Sequence, residues 1–407
     1  MSNRSSSLRH WLRTYSLTLV AALGGVAGVA YAATRHTAPP TSSAVGAMSA
    51  RPVAELARDT VQDTVQIALL LDTSSSMDGL INQARSHLWT MVDKLGQMTR
   101  VVNGKVRGVR VELALYEYGQ SSVPEAAGFI RQVLPLTTDL DRVSEELHRL
   151  ATNGGEEYAG QAIQTAVSSL QWSADPTALK FIFVAGNESF DQGPITADIA
   201  MAAAKGKDIQ VQLIHCGQNE PSWGAAAALA RTDLLTIDQD RVAQHIPAPQ
   251  DAEILRIGGE LNTTYLAYGA DGGAAQARQN AADLSSAKLS RKVAIERAQL
   301  KAKKAYRNAN WDLIDAVEKD QNFLAKAKDQ DLPAELRNKS LEEKGAIIAA
   351  KTAERAKLKA QLGKLEAERA AFLAAEQAKQ RDAGAPSLET ELLKSAKQTA
   401  TKKGFKL

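Results

Sequence analysis

Val65-Gln66-Ile67-Ala68-Leu69-Leu70-Leu71-Asp72-Thr73-Ser74-Ser75-Ser76-Met77 is the stretch that decides the fold. Its first seven positions are apolar almost without interruption and end on an acid. A strand with one wet face alternates apolar and polar residues, whereas a strand covered on both faces does not. Downstream, Leu80, Ile81, Ala84, Leu88, Met91, Val92 and Leu95 recur at helical spacing and predict a helix over 80–98. The pattern then repeats. Strands are expected at 109–117, 129–136, 179–184, 209–214 and 261–268, and helices at 140–150, 159–172, 195–204 and near 253–258. Such alternation predicts an α/β domain over residues 61–272, a Rossmann-like doubly wound and mostly parallel sheet.

Upstream, Arg4, Arg9 and Arg13 precede an apolar run from Leu17 to Ala30, and Ala30-Tyr31-Ala32 offers small residues for cleavage. This reads as a signal peptide over residues 1–32 and an exported, periplasmic protein. An uncleaved N-terminal anchor is the alternative. Residues 33–60, rich in Ala, Pro, Ser and Thr, read as a flexible linker. Downstream of 272 the strand signals stop. Residues 273–383 read as helical and basic, with the apolar cluster Trp311, Leu313, Ile314 and Val317 as an anchor onto the α/β domain. A second helix is expected from Ala334 to Gln380. Leu358, Leu362, Leu365 and Phe372 suggest a heptad seam, but Lys351, Arg355 and Arg369 interrupt it, so a solvated antiparallel helix pair is expected instead of a long coiled coil. Residues 384–407 read as a disordered basic tail.

The chain has 407 residues, 44% hydrophobic and 23% charged, an ordinary globular composition for roughly two domains. Its net charge of +3 conceals a division. Residues 33–280 hold 19 Lys and Arg against 28 Asp and Glu, and residues 281–407 hold 27 against 18. The C-terminal bases interleave with Glu and have few aromatic neighbours, which argues against nucleic acid; contact with an anionic envelope surface is the basic region's other use. A single cysteine, Cys216, excludes an intrachain disulfide. Cys216 follows His215, but neighbours on a strand point to opposite faces, so it reads as a small buried hydrophobe and not a nucleophile. No Gly-x-Ser-x-Gly elbow surrounds Ser74, and no phosphate-cradling glycine loop occurs. No catalysis is expected.

Asp72, Ser74 and Ser76 place one carboxylate and two hydroxyls on a tight loop at the carboxyl end of a buried strand, the edge where open α/β sheets bind ligands. Oxygen donors of this kind suit Mg²⁺, with Ca²⁺ or Mn²⁺ as alternatives, in preference to zinc. Serines there would equally serve as caps for the next helix.

With its strand–helix order, Asp-x-Ser-x-Ser resembles the opening of the metal-ion-dependent adhesion site of von Willebrand factor A domains, over roughly residues 60–272. The resemblance implies that a second loop supplies a Thr and a third an Asp. This sequence departs from both. Thr152-Asn153-Gly154-Gly155-Glu156-Glu157-Tyr158-Ala159-Gly160, registered on Gly160, puts Glu157 in place of the Thr, and Gly186 falls where the third-loop Asp belongs, beside Asn187 and Glu188. A relocated carboxylate is one reading: Asp72, Ser74, Ser76 and Glu157 hold the divalent cation, with Asn187 and Glu188 as further candidates. The other is a vestige without metal, in which Glu156 and Glu157 are solvated charges opening a helix. The resemblance further implies adhesion or scaffolding at the cell envelope, a partner protein lending a carboxylate to the metal beside Asp72, Glu156 and Glu157. A metal-free structural or assembly factor acting through its C-terminal helices is the alternative.

Overall fold

The computed structural model describes residues 61–217, 220–237, 245–379 and 388–406. The expected signal peptide and the whole of the expected linker lie outside them. The described strands are β1 (Asp63–Asp72), β2 (Thr99–Val102), β3 (Lys105–Tyr118), β4 (Arg131–Thr137), β5 (Leu179–Gly186), β6 (Gln210–Cys216), β7 (Leu235–Ile237) and β8 (Phe405–Lys406). They form one sheet in the order β7-β6-β5-β1-β3-β2-β8, with β4 beside β3. β7, β6, β5, β1 and β3 run parallel, and β2, β4 and β8 join antiparallel.

The uninterrupted apolar runs are explained by burial on both faces. Val65, Ile67, Leu69 and Leu71 enter one core, while Ala68 and Leu70 enter the other. The first core lies under α1 (Asp78–Gly96) and α2 (Leu140–Arg149). The second lies under α3 (Ala159–Ser169), α4 (Ala197–Gly206) and α5 (Pro221–Ala230). Adjacent residues of β6 separate in the expected way: Cys216 is buried in the first core, while His215 stands against Trp223 on the other side.

Four expectations about the chain from residue 261 onward are corrected. Residues 261–268 are not a strand of the sheet. α6 (Asp251–Asn262) runs through their start, and Ala267 makes only an isolated bridge to Asp312. The β-forming residues Thr264, Tyr265 and Leu266 are tied instead to the 312–313 turn, through Leu266 N to Asp312 Oδ1 (2.8 Å) and Leu313 N to Leu266 O (2.8 Å). Nor is 274–330 one helix. It divides into α7 (Gly272–Leu289), α8 (Arg291–Lys301), α9 (Leu313–Lys319) and α10 (Phe323–Lys326). Trp311 lies in the turn before α9, stacked on Tyr265 at 5.7 Å between ring centroids.

The long helix α11 (Leu341–Lys379) begins seven residues later than expected and is not half of a solvated pair. Its charged interruptions are its packing contacts. Arg355 is 4% exposed, pairs with Asp312 (2.6 Å) and Asp315 (3.2 Å), and lies over the Tyr265 ring. Arg369 reaches Asp251 at the start of α6 (2.7 Å). A charge in a heptad seam ruins a coiled coil, but here each Arg meets a carboxylate across the interface. Residues 388–406 of the basic tail are ordered too. α12 (Leu388–Lys402) packs against α1, and β8 continues the sheet by pairing with β2, where Phe405 is buried beneath the Arg100 guanidinium.

Among the described residues no helix is long and apolar enough to cross a membrane.

Candidate metal centre

β1 ends at Asp72, and the chain turns through Thr73–Ser76 before α1 begins at Asp78. α1 takes no side-chain cap from the serines; its first turn follows Met77. Asp72 is fully buried and Ser74 is 5% exposed. Asp72 Oδ1 accepts from Ser74 N at 2.7 Å, which turns the hydroxyl loop over the end of the strand. The neighbouring loops are stitched to it through the backbone: Thr73 N and Oγ1 both donate to Tyr118 O (2.9 and 3.1 Å), and Asn153 N donates to Thr73 O (2.9 Å). Thr152 Oγ1 donates to Asp78 Oδ1 at 2.7 Å.

The second loop brings Glu157 to Asp72. It is 7% exposed, so it is not a solvated charge. Burial, then hydrogen bonding and repulsion from Asp72, raise its carboxyl to about 9; Glu188 adds to the repulsion and a Ser74 contact opposes it. Burial also raises Asp72, against hydrogen bonds from Glu157, Ser74 and the Asn187 backbone. Two carboxyl groups forced together out of water keep a proton between them unless a cation takes its place. The third loop supplies Asn187, whose Nδ2 donates to Ser76 Oγ (2.9 Å) and whose carbonyl meets His215 Nε2 (3.1 Å). Asp72, Ser74, Ser76, Glu157 and Asn187 thus converge. Glu156 and Glu188 have exposed side chains at the rim, although the Glu188 carbonyl is anchored by Trp223 Nε1.

The donor set fits a hard divalent cation. Apart from the Glu157 carboxyl set against Asp72 and Ser74, no protein group satisfies the buried oxygens Asp72 Oδ2, Ser74 Oγ and Asn187 Oδ1. Oxygen atoms left this way cost about 1–3 kcal/mol each unless something satisfies them. Among the described residues no group of three or more His, Cys, Asp and Glu is spaced to hold a metal, so the hydroxyls and the amide must complete any coordination here.

Two residues that the sequence reading passed over explain why the third-loop acid is missing. A Cβ at Gly186 would stand 2.4 Å from the Tyr118 hydroxyl and 3.2 Å from Asp72 Oδ2. That hydroxyl donates to Ala185 O (2.9 Å), so Tyr118 fills the space a side chain at 186 needs. Gly119, at φ +72°, faces Asp72 Oδ1 and Glu157 Cγ with no room for a Cβ. With position 186 closed, the second loop is where an acid can approach Asp72. Tyr118-Gly119 at a strand end was the available signal, but only the fold aligns it with Gly186. Gly186→Ala is expected to destabilise the protein by about 1–3 kcal/mol, as overpacking does. Adding Tyr118→Phe removes the clashing oxygen and recovers part of that loss, measured by urea unfolding.

Residues 66–245 match the family model of the von Willebrand factor type A domain. No curated protein matches the chain. Among solved structures, proximal thread matrix protein 1 from the mussel byssus, with a zinc-occupied MIDAS motif, is 11% identical, with a TM-score of 0.34 over 44% of this chain and 43% of that one. A von Willebrand factor type A structure from Catenulispora acidiphila is 17% identical, with a TM-score of 0.33 over 44% of this chain and 39% of that one. The chain spans about two fifths of the length of these structures. The matched residues run from β1 to just before α6, and hold Asp-x-Ser-x-Ser at the carboxyl edge of a mostly parallel sheet. Residues 66–245 are a von Willebrand factor type A domain.

Proposed function

We propose that this protein captures a partner protein at the cell envelope, for adhesion or scaffolding, through a divalent cation held by Asp72, Ser74, Ser76 and Glu157, with Asn187 in support and without catalysis. The protein is read as exported and periplasmic. The observation that carries the proposal is the set of unsatisfied buried oxygens on Asp72, Ser74 and Asn187 beside a second buried carboxyl. Mg²⁺ is the preferred ion because every donor is oxygen. Once bound, the ion supplies an electrophilic position on which a partner's oxygen ligand closes the coordination. Asp72 and Glu157 balance its charge, and the serines orient it.

The alternative, a metal-free factor acting through its C-terminal helices, has less support, because α7 and α8 lie against α1 and α2 and α11 lies along α6. The test is thermal unfolding of the full chain with Mg²⁺ or with chelator. Mg²⁺ at about 100 times its dissociation constant stabilises a specific site by about 2.7 kcal/mol. Asp72→Ala is expected to abolish that increment, and an increment that survives the substitution refutes the metal site.

A further inference from the structure

The loops that surround the candidate centre share one property. Residues 72–78, 119–130, 151–158, 187–196, 217 and 220–222 contain eight Asp and Glu and not one Lys, Arg or His. Asp72 and Glu157 lie at the bottom, and Glu220 is spent on the Ser222 and Trp223 amides at the start of α5. Asp78, Glu125, Glu156, Glu188 and Asp191 are exposed. Residues 33–280 are acidic as a whole, with 28 Asp and Glu against 19 Lys and Arg, but they still hold many bases, and the rim is set apart by having none. Beneath it, Asp72 Oδ2 and Ser74 Oγ are buried with only the Glu157 carboxyl against them, which marks the place as built to receive a ligand.

A divalent cation bound there is already matched by the Asp72 and Glu157 charges. It has no net positive charge left to draw an anionic surface through the field of the exposed acids. The field favours cations, and it acts on the approach and orientation of a partner as well as on its affinity. We propose that the partner of this rim is a basic protein surface, whose Lys and Arg side chains face Glu156, Glu188 and Asp191 around the group it offers to the metal. This deepens the metal-dependent reading and rests on it. A coordinating carboxylate on such a partner is set among bases. Nucleic acid and anionic lipid are repelled by the same field.

The test uses the full chain with two fluorescent probes, a 20-residue lysine homopolymer and a 20-residue glutamate homopolymer, at low ionic strength. The lysine probe is expected to bind in preference to the glutamate probe. The triple variant Glu156→Lys, Glu188→Lys, Asp191→Lys is expected to weaken lysine-probe binding at least about tenfold, as the loss of several exposed ion pairs does at low salt. The control triple Glu335→Lys, Glu342→Lys, Glu354→Lys makes the same change in net charge on the C-terminal helices and is expected to cost far less. Equal losses in the two triples, absence of lysine-probe binding, or preference for the glutamate probe overturns the proposal.

The lysine preference is expected to persist in chelator, because it belongs to the rim. Mg²⁺ stabilisation that survives Asp72→Ala therefore removes the metal reading and leaves the rim preference standing. Equal triples with Asp72-dependent Mg²⁺ stabilisation do the reverse.

Discussion

Arg297→Ala is expected to destabilise the protein by about 3–5 kcal/mol, the usual cost of leaving a buried charge without its partner. Arg297 comes from α8 and is 1% exposed. It pairs with Asp141 of α2 (2.6 Å) and Asp283 of α7 (2.8 Å), and its guanidinium lies over the Trp89 ring of α1 at 4.4 Å. Tyr306 Oη donates to Asp141 Oδ2 (2.5 Å), and Lys301 pairs with Asp283. Two acids and two bases therefore close a buried neutral cluster that joins α7 and α8 to α1 and α2 of the von Willebrand factor type A domain.

Burial raises the Asp141 carboxyl while Arg297 opposes it. Without Arg297 the acid is expected to hold its proton in the folded state. The variant should then regain stability as pH falls from 8 toward about 5, because the folded form binds a proton that the unfolded form does not. Arg297→Met with Asp141→Asn removes both charges, keeps an acceptor for Tyr306, and is expected to recover most of the loss. Urea midpoints at the two pH values measure this. A loss under about 1 kcal/mol in the single variant, or no pH dependence of that loss, contradicts the assignment.

That cluster also marks how far the chain could be read in advance. The parallel sheet was legible because its evidence is local: β1, β5 and β6 are apolar on both faces, and a one-dimensional pattern records that directly. The Asp72 loop was legible for the same reason. The hairpin between β2 and β3 was passed over although Asn103-Gly104 marks its turn, with both residues at positive φ. What could not be read is pairing between distant charges. Arg355 and Arg369 look like defects in a heptad until Asp312 and Asp251 stand opposite them. Phe405 looks like one aromatic in a basic tail until β2 offers it an edge. In the site, Asp72, Ser74 and Glu157 were expected together and lie together, while Tyr118 and Gly186 acquire meaning only when β3 and β5 flank β1.

Glu157→Gln should act in opposite directions on the metal-free and metal-bound protein. In the metal-free protein the Glu157 carboxyl is raised from 4.5 to about 9, by burial and by Asp72. Between those values the folded state holds a proton that the unfolded chain has released, so wild-type stability falls as pH rises through that interval. Glutamine keeps the shape and cannot ionise. The variant's metal-free stability is expected to be flatter with pH and, at pH 8, no lower than wild type. Glu188→Gln, at the exposed rim, is expected to leave most of that slope in place.

With Mg²⁺ the order reverses. The cation takes the place of the shared proton, so the wild-type Mg²⁺ increment is expected to grow from pH 6 to pH 8. The glutamine variant, left with the Asp72 carboxylate alone, is expected to lose most of that increment. Thermal unfolding at the two pH values, with Mg²⁺ and with chelator, reads all four quantities. A Mg²⁺ increment unchanged in Glu157→Gln would separate the two halves of the argument. Asp72 and Glu157 would still repel each other, but Glu157 would no longer be the carboxylate that compensates for the acid excluded at Gly186.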